Sequence, residues 1–241
     1  MRVTKRTIPA QQLALVEWAA ELGAITAEAL AVREECTVSS ARARLLAAMR
    51  SGALSRERPL GDQPALFIAT RAGLRAAGLD GVDPGRVSAP SARHSVACAW
   101  VAAVLEQRYA DHAVIGEREL LQGCKRGEPV ACVAVGGSRD GGPAFHRPDL
   151  ALCPTPPSLP IAVEVELTVK APQRLQAICR GWARTRGVAG VLYFIAPQVR
   201  APLSRAIAAA RAERAIAVVD LDALVMATAV GPVERTITAD A

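Results

Sequence analysis

Three acids and a lysine stand out by type and spacing: Asp149 in FHRPDLAL (145–152), and Glu164, Glu166 and Lys170 in IAVEVELTVK (161–170). In the second run Ile161, Val163, Val165, Leu167 and Val169 alternate with Ala162, Glu164, Glu166, Thr168 and Lys170, and the two-residue period of a strand sends the two sets to opposite faces. Two carboxylates on one face of a strand repel each other and are costly to bury alone. They call for a counter-charge, which a divalent metal supplies most simply. A hard cation such as Mg²⁺ takes two or three carboxylate oxygens plus water. So held, it polarises a phosphodiester and lowers the pKa of an attacking water. Lys170, or Arg174 at the start of the next helix, then stabilises the charge of the transition state. The plainer reading of the same residues is a structural network in which Glu164 and Glu166 pair with Arg147, Lys170 or Arg174.

Positioning these groups requires a sheet. Residues 145–152 read as one strand and 161–170 as its neighbour, joined by a Pro-rich turn, which brings Asp149 beside Glu164 and Glu166. Pro172 opens a helix to about residue 186 that buries Leu175, Ile178, Cys179 and Trp182. A strand (190–196), a helix (202–214) and a last strand (215–221) follow. Upstream, Ser91 caps a helix over about 92–109, and residues 113–121 form a strand running into a turn or short helix, with Glu117 at its end. A Gly-rich connection carries a short strand at 129–135 and a tip at 136–142. His94 reads as a helix-start residue, His146 as a hydrogen-bonding group at a strand end, and Trp100 and Trp182 as core.

The first third of the chain has a different organisation. Residues 11–22 show a helical apolar stripe ended by Gly23, and Thr26 caps a short helix over 27–33. Ser39 or Ser40 caps a third helix through Arg50. The runs ALSRERPL and ALFIAT pair across the turn at 61 and 62, and a helix follows from Thr70 to about Ala77. Helix, short helix, helix, hairpin, helix is the order of a winged helix, whose third helix enters the DNA major groove while the hairpin touches the backbone or the minor groove. Arg42, Arg44, Arg56 and Arg58 are the contact candidates, with a solvated basic face as the plain alternative. The stretch GLDGVDPGRVSAP (78–90) lacks apolar periodicity and reads as a linker. The boundaries are therefore 1–80 for the winged helix, 81–91 for the linker, 92–230 for the second domain and 231–241 for a loose tail.

The totals narrow the class. The 241 residues carry 29 Lys and Arg against 23 Asp and Glu, a net charge of +6, which suits a polyanionic partner without requiring one. Aromatic residues make up only 3%, so the cores must be aliphatic. Six cysteines form no CxxC pair, which argues against a zinc knuckle and for reduced, packed thiols. No window has the roughly 18–20 apolar residues of a membrane span, and the start lacks the apolar run of a leader. The expectation is a cytoplasmic protein that uses no membrane.

RPD (147–149) followed by EVELTVK (164–170), within an αβββαβ core, resembles the PD-(D/E)xK phosphodiesterase superfamily. With the preceding winged helix, GEREL (116–120) and HRPD, the chain more closely resembles the replication-relaxation family of plasmid and conjugative-element proteins. The resemblance implies an α+β protein, a winged helix followed by a restriction-endonuclease-like domain with a central mixed sheet, acting on mobile-element DNA. It maps Asp149 onto the first acid, Glu164 onto the central acid and Glu117 onto the upstream acid. The expected metal set is Asp149, Glu164, Glu166 and Glu117 holding Mg²⁺ or Mn²⁺, with Lys170 or Arg174 beside them and DNA as partner; a homodimer is one expected arrangement. The superfamily's lysine falls two residues after the central acid, where this chain has Glu166. Two readings therefore stand: a metal-dependent nicking endonuclease, or a non-catalytic DNA-binding regulator or replication accessory factor with a degenerate nuclease fold.

Overall fold

A computed structural model describes residues 8–128, 130–137 and 143–224; the expected tail at 231–241 and most of the tip at 136–142 lie outside them. The first unit begins with α1 (Ala10–Leu22), which buries Leu15, Val16, Trp18, Ala19 and Ala20 and ends at Gly23, where φ of 86° favours glycine. Thr26 caps α2 (Ala27–Arg33), its hydroxyl accepting the Ala29 N–H at 3.0 Å. Helix α3 (Val38–Arg50) is capped by Thr37, whose hydroxyl accepts the Ser40 N–H at 3.1 Å. Ser39 and Ser40, the caps expected from sequence, lie inside its first turn because Thr37 takes the extended conformation that a cap needs. Strands β1 (Leu54–Glu57) and β2 (Leu66–Ala69) pair antiparallel, with Ile25 bridging to Phe67. Thr70 then caps α4 (Arg71–Ala76). A Cβ at Gly73 would stand 2.2 Å from the Ala53 carbonyl oxygen, so only glycine lets α4 dock this closely on the hairpin.

Helix α5 (Ala89–Arg108) starts three residues before the expected point. Ser88, not Ser91, is the cap, and the Ser88 N–H donates back to the Ser91 hydroxyl at 3.0 Å, closing a capping box. Alanines let this helix serve both halves: Ala99 and Ala103 belong to the core of the first unit, Ala97, Val101 and Leu105 to that of the second. The Pro/Gly segment before it is packed as well. A Cβ at Gly85 would meet the Gly23 carbonyl oxygen at 2.0 Å, so the two units are joined by a fitted strap and a shared helix.

The second unit is built on a five-stranded mixed sheet in the order β3 (Ala113–Gly116), β6 (Leu150–Cys153), β7 (Ile161–Glu166), β8 (Gly190–Ile195), β9 (Ile216–Asp220). The first three strands are antiparallel and the last three parallel, and the whole chain is α+β. Helix α6 (Glu117–Lys125) follows β3, and β4 (Val133–Gly137) pairs with β5 (Pro143–His146) as a separate ribbon. One face of the sheet packs against α5, burying Val163, Val165 and Phe194. The other packs against α7 (Pro172–Arg184) and α8 (Arg200–Ala210), burying Ala162, Val191 and Tyr193 with Trp182 and Leu203.

Two expected strands are shorter than the sequence suggests. Residues 145–152 split into β5 and β6 at Arg147–Pro148–Asp149, where proline offers no ladder donor. The run 161–170 is strand only to Glu166, beyond which its parallel partner β8 has ended at Ile195, and Val169 is exposed. Among the described residues no helix is long and apolar enough to cross a membrane.

Candidate functional site

The central acids project from β7 according to its pleat. Val163 and Val165 face α5, so Glu164 falls on the opposite face, over α7. Glu164 is 3% exposed and Glu166 is 4% exposed, a depth at which unpaired carboxylates are not tolerated. Glu164 Oε1 lies 2.6 Å from His146 Nε2 and accepts the Trp182 indole N–H at 3.1 Å. Burial above all raises the Glu164 pKa, Asp149 pushes in the same direction, and His146 opposes them. Glu166 pairs with Lys170, which reaches back because the chain turns out of the sheet after residue 166. A strand continued to Lys170 would instead hold the two residues about 13 Å apart.

Asp149 sits in the break between β5 and β6, at the edge of β7. Its Oδ2 accepts the Val165 N–H at 2.7 Å, and its Oδ1 lies 3.0 Å from His94 Nε2 on α5. The Asp149 hydrogen bond is the main reason the His94 pKa is raised, against a burial effect that lowers it. One turn further along α5, Cys98 Sγ lies 3.4 Å from the same His94 nitrogen. Burial pushes the Cys98 thiol well above its ordinary pKa, and Asp149, Glu117 and Glu164 push it the same way.

The sequence-predicted groups thus divide. Asp149 and Lys170 both act electrostatically on Glu164. Glu117 is exposed at the first position of α6, close enough to act on His94 and Cys98. Arg174, in the first turn of α7, is exposed and makes no ion pair among the described residues. Arg147, one expected partner of the glutamates, leaves its buried Nε without a partner, and His146 takes that place.

Among the described residues the expected hard-cation set, Asp149, Glu164, Glu166 and Glu117, does not form a group whose ligand atoms all come within 4.8 Å of one another. Both Asp149 oxygens are engaged, Glu164 Oε1 serves two neighbours and Glu166 is neutralised by Lys170. Among the described residues the three metal-capable groups whose ligand atoms come within 4.8 Å of one another are His94, Cys98 and Asp149. These three could hold a metal ion. His94 and Cys98 escape a search for carboxylates, yet their signal is present in HSVAC (94–98): a histidine and a cysteine four residues apart share one helical face.

His94 also borders a cleft of about 700 Å³ between the units, lined with it by Arg71, Asp83, Ser91, Glu117 and Arg118. Nearby, Glu21 in the last turn of α1 has a pKa raised to about 7 by burial and by Glu119 and Glu106, with Arg33 opposing.

In the first unit, Arg42, Arg56 and Arg58 line one pocket of about 270 Å³ with Glu28 and Phe67, where α3 meets the hairpin. Arg42 lies 3.5 Å from Glu28, Arg58 Nε reaches only the Gln63 carbonyl at 3.5 Å, and Arg56 has no ion pair among the described residues. Arg44 is turned away into a pair with Glu34. No protein-family model, curated protein or solved structure matches this chain.

Proposed function

We propose that the chain is a DNA-binding protein of mobile-element type. In this reading the first unit is a winged helix that docks on DNA, and the nuclease-like second unit acts as a non-cleaving regulatory or accessory body. The observation that carries it is the gathering of Arg42, Arg56 and Arg58 at the junction of α3 with β1. Surface cations with weak or no internal partners hold little of the fold together, and phosphate oxygens are natural partners for such a group. The engaged acids of the second unit support the non-cleaving half.

Fluorescence anisotropy with labelled duplex DNA tests the reading. Binding is expected to weaken steeply with salt, the logarithmic slope changing by about 0.9 for each phosphate neutralised. The triple variant Arg42→Ala, Arg56→Ala, Arg58→Ala is expected to reduce that slope by about 2–3. Absence of binding to duplex and single-stranded DNA at low salt overturns the reading.

A second reading is metal-dependent phosphodiester cleavage with Mg²⁺ or Mn²⁺. It is favoured by the shared electrostatic neighbourhood of Asp149, Glu164 and Lys170. Nicking of supercoiled plasmid that disappears in both Asp149→Ala and Glu164→Gln, with each variant still folded by circular dichroism, would establish it in place of the first.

A further inference from the structure

We propose that His94, Cys98 and Asp149 form a binding site for a borderline-soft divalent ion of the Zn²⁺ type, with three protein ligands and one position left for water or an external ligand. The proposal does not depend on the DNA reading. It follows from the donor set: an imidazole, a thiol and a single carboxylate suit zinc, cobalt or ferrous iron, whereas Mg²⁺ and Mn²⁺ prefer all-oxygen shells.

The geometry is near what such an ion needs. Typical bond lengths of about 2.0–2.1 Å to nitrogen, 2.0–2.2 Å to oxygen and 2.3 Å to sulfur place tetrahedral N and O ligands roughly 3.3 Å apart, and N and S ligands roughly 3.6 Å apart. The observed separations are 3.0 Å for His94 Nε2 to Asp149 Oδ1 and 3.4 Å for His94 Nε2 to Cys98 Sγ. These two separations have to open by only a few tenths of an ångström, and the Asp149 oxygen and Cys98 Sγ lie within 4.8 Å of each other.

The ligands also come from well-anchored elements. His94 and Cys98 lie one turn apart on α5, which is fixed by the cores of both units. Asp149 Oδ2 is held by the Val165 N–H at 2.7 Å, the kind of outer hydrogen bond that orients a metal-binding carboxylate, so an ion would have to replace only the contact of Oδ1 with His94 Nε2. Glu117 and Glu164 add negative charge around Cys98, and a dication offsets it. His94 has 39% of its side chain exposed and borders the inter-unit cleft, whereas Asp149 has 20% exposed. Access for a fourth ligand is therefore from the His94 side. A bound ion would tie α5 to the edge of β7 directly beside that cleft.

Cobalt titration of the reduced, metal-free full chain decides the matter. One equivalent of Co²⁺ is expected to produce a near-ultraviolet thiolate-to-cobalt charge-transfer band and visible bands of tetrahedral intensity, bleached by one equivalent of Zn²⁺ and untouched by millimolar Mg²⁺. Cys98→Ala and His94→Ala are expected to abolish the bands. The double variant Cys124→Ser, Cys132→Ser is expected to keep them, although those two thiols also interact. Should Cys98→Ala fail to fold by circular dichroism, Cys98→Ser at nearly unchanged volume is to lose the charge-transfer band in its place. Absence of the band in the wild-type chain, its survival without Cys98, or its loss in the Cys124/Cys132 variant overturns the proposal.

Discussion

The arginine pocket of the first unit and the acidic face of the second contrast in how their charges are used. Arg42, Arg56 and Arg58 surround a polar recess with partners that are weak, exposed or absent among the described residues. Glu164 and Glu166 are at least as conspicuous in sequence, yet they are buried at 3% and 4% exposure and joined to His146, Trp182 and Lys170. A charge left at the surface costs the fold little and remains available to an outside partner. A buried charge must be answered from within, and the answer makes it part of the architecture. Conspicuous chemistry in a sequence therefore does not by itself mark the place where a ligand binds.

The contrast can be broken most forcefully at Glu164. Replacing it with Ala strips Trp182 Nε1 and His146 of their acceptor, and a loss of about 3–5 kcal/mol in urea unfolding is expected. A loss below about 1 kcal/mol would return Glu164 to the list of groups held for a ligand. Gly73→Ala comes next, because the new Cβ meets the Ala53 carbonyl backbone 2.2 Å away; overpacking of this kind costs about 1–3 kcal/mol, readable as a lower urea midpoint.

At the seam between the units, Glu21 has a pKa of about 7 against an ordinary 4.5. Its folded pKa is raised, so its favourable contribution is full below about pH 4.5 and is lost as pH rises through about 7. Glu21→Gln is expected to flatten the fall in thermal midpoint over that window and to leave the variant more stable than wild type at pH 8. Equal melting profiles from pH 5 to 8 would remove Glu21 from the account.

The smallest stability effect is expected where the functional effect should be greatest. Ala at Arg42, Arg56 and Arg58 should change unfolding free energy by no more than about 0.5 kcal/mol per site while weakening DNA binding and its salt dependence. A large destabilisation there would mean that the two regions use their charges alike.

Much of the first unit was legible in one dimension. The periodicity of α1, the Thr26 cap on α2, the hairpin pair and the helix that follows it from about Thr70 all depend on neighbours within a few residues, and local hydrogen bonds and side-chain period carry that information. The alternation over 161–166 likewise foretold β7 and the face on which its acids stand. The alternation continues to Lys170, but the strand ends at Glu166 because its partner β8 ends at Ile195, a fact written some 30 residues away. Arg44 and Arg42 look equivalent in sequence, and only packing sends one to Glu34 and the other to the recess.

What sequence determined, then, was the inventory: an α+β chain, a basic hairpin-bearing unit, and a strand with two acids on one face. Tertiary structure decided the pairings. It brought His146 and Trp182 to Glu164, folded Lys170 back onto Glu166, and set Asp149 against His94 and Cys98 from a helix some 50 residues earlier. The physical reason is range. Period and capping act over a turn or two, whereas the partner of a buried charge is whichever group the packed elements place within hydrogen-bonding distance.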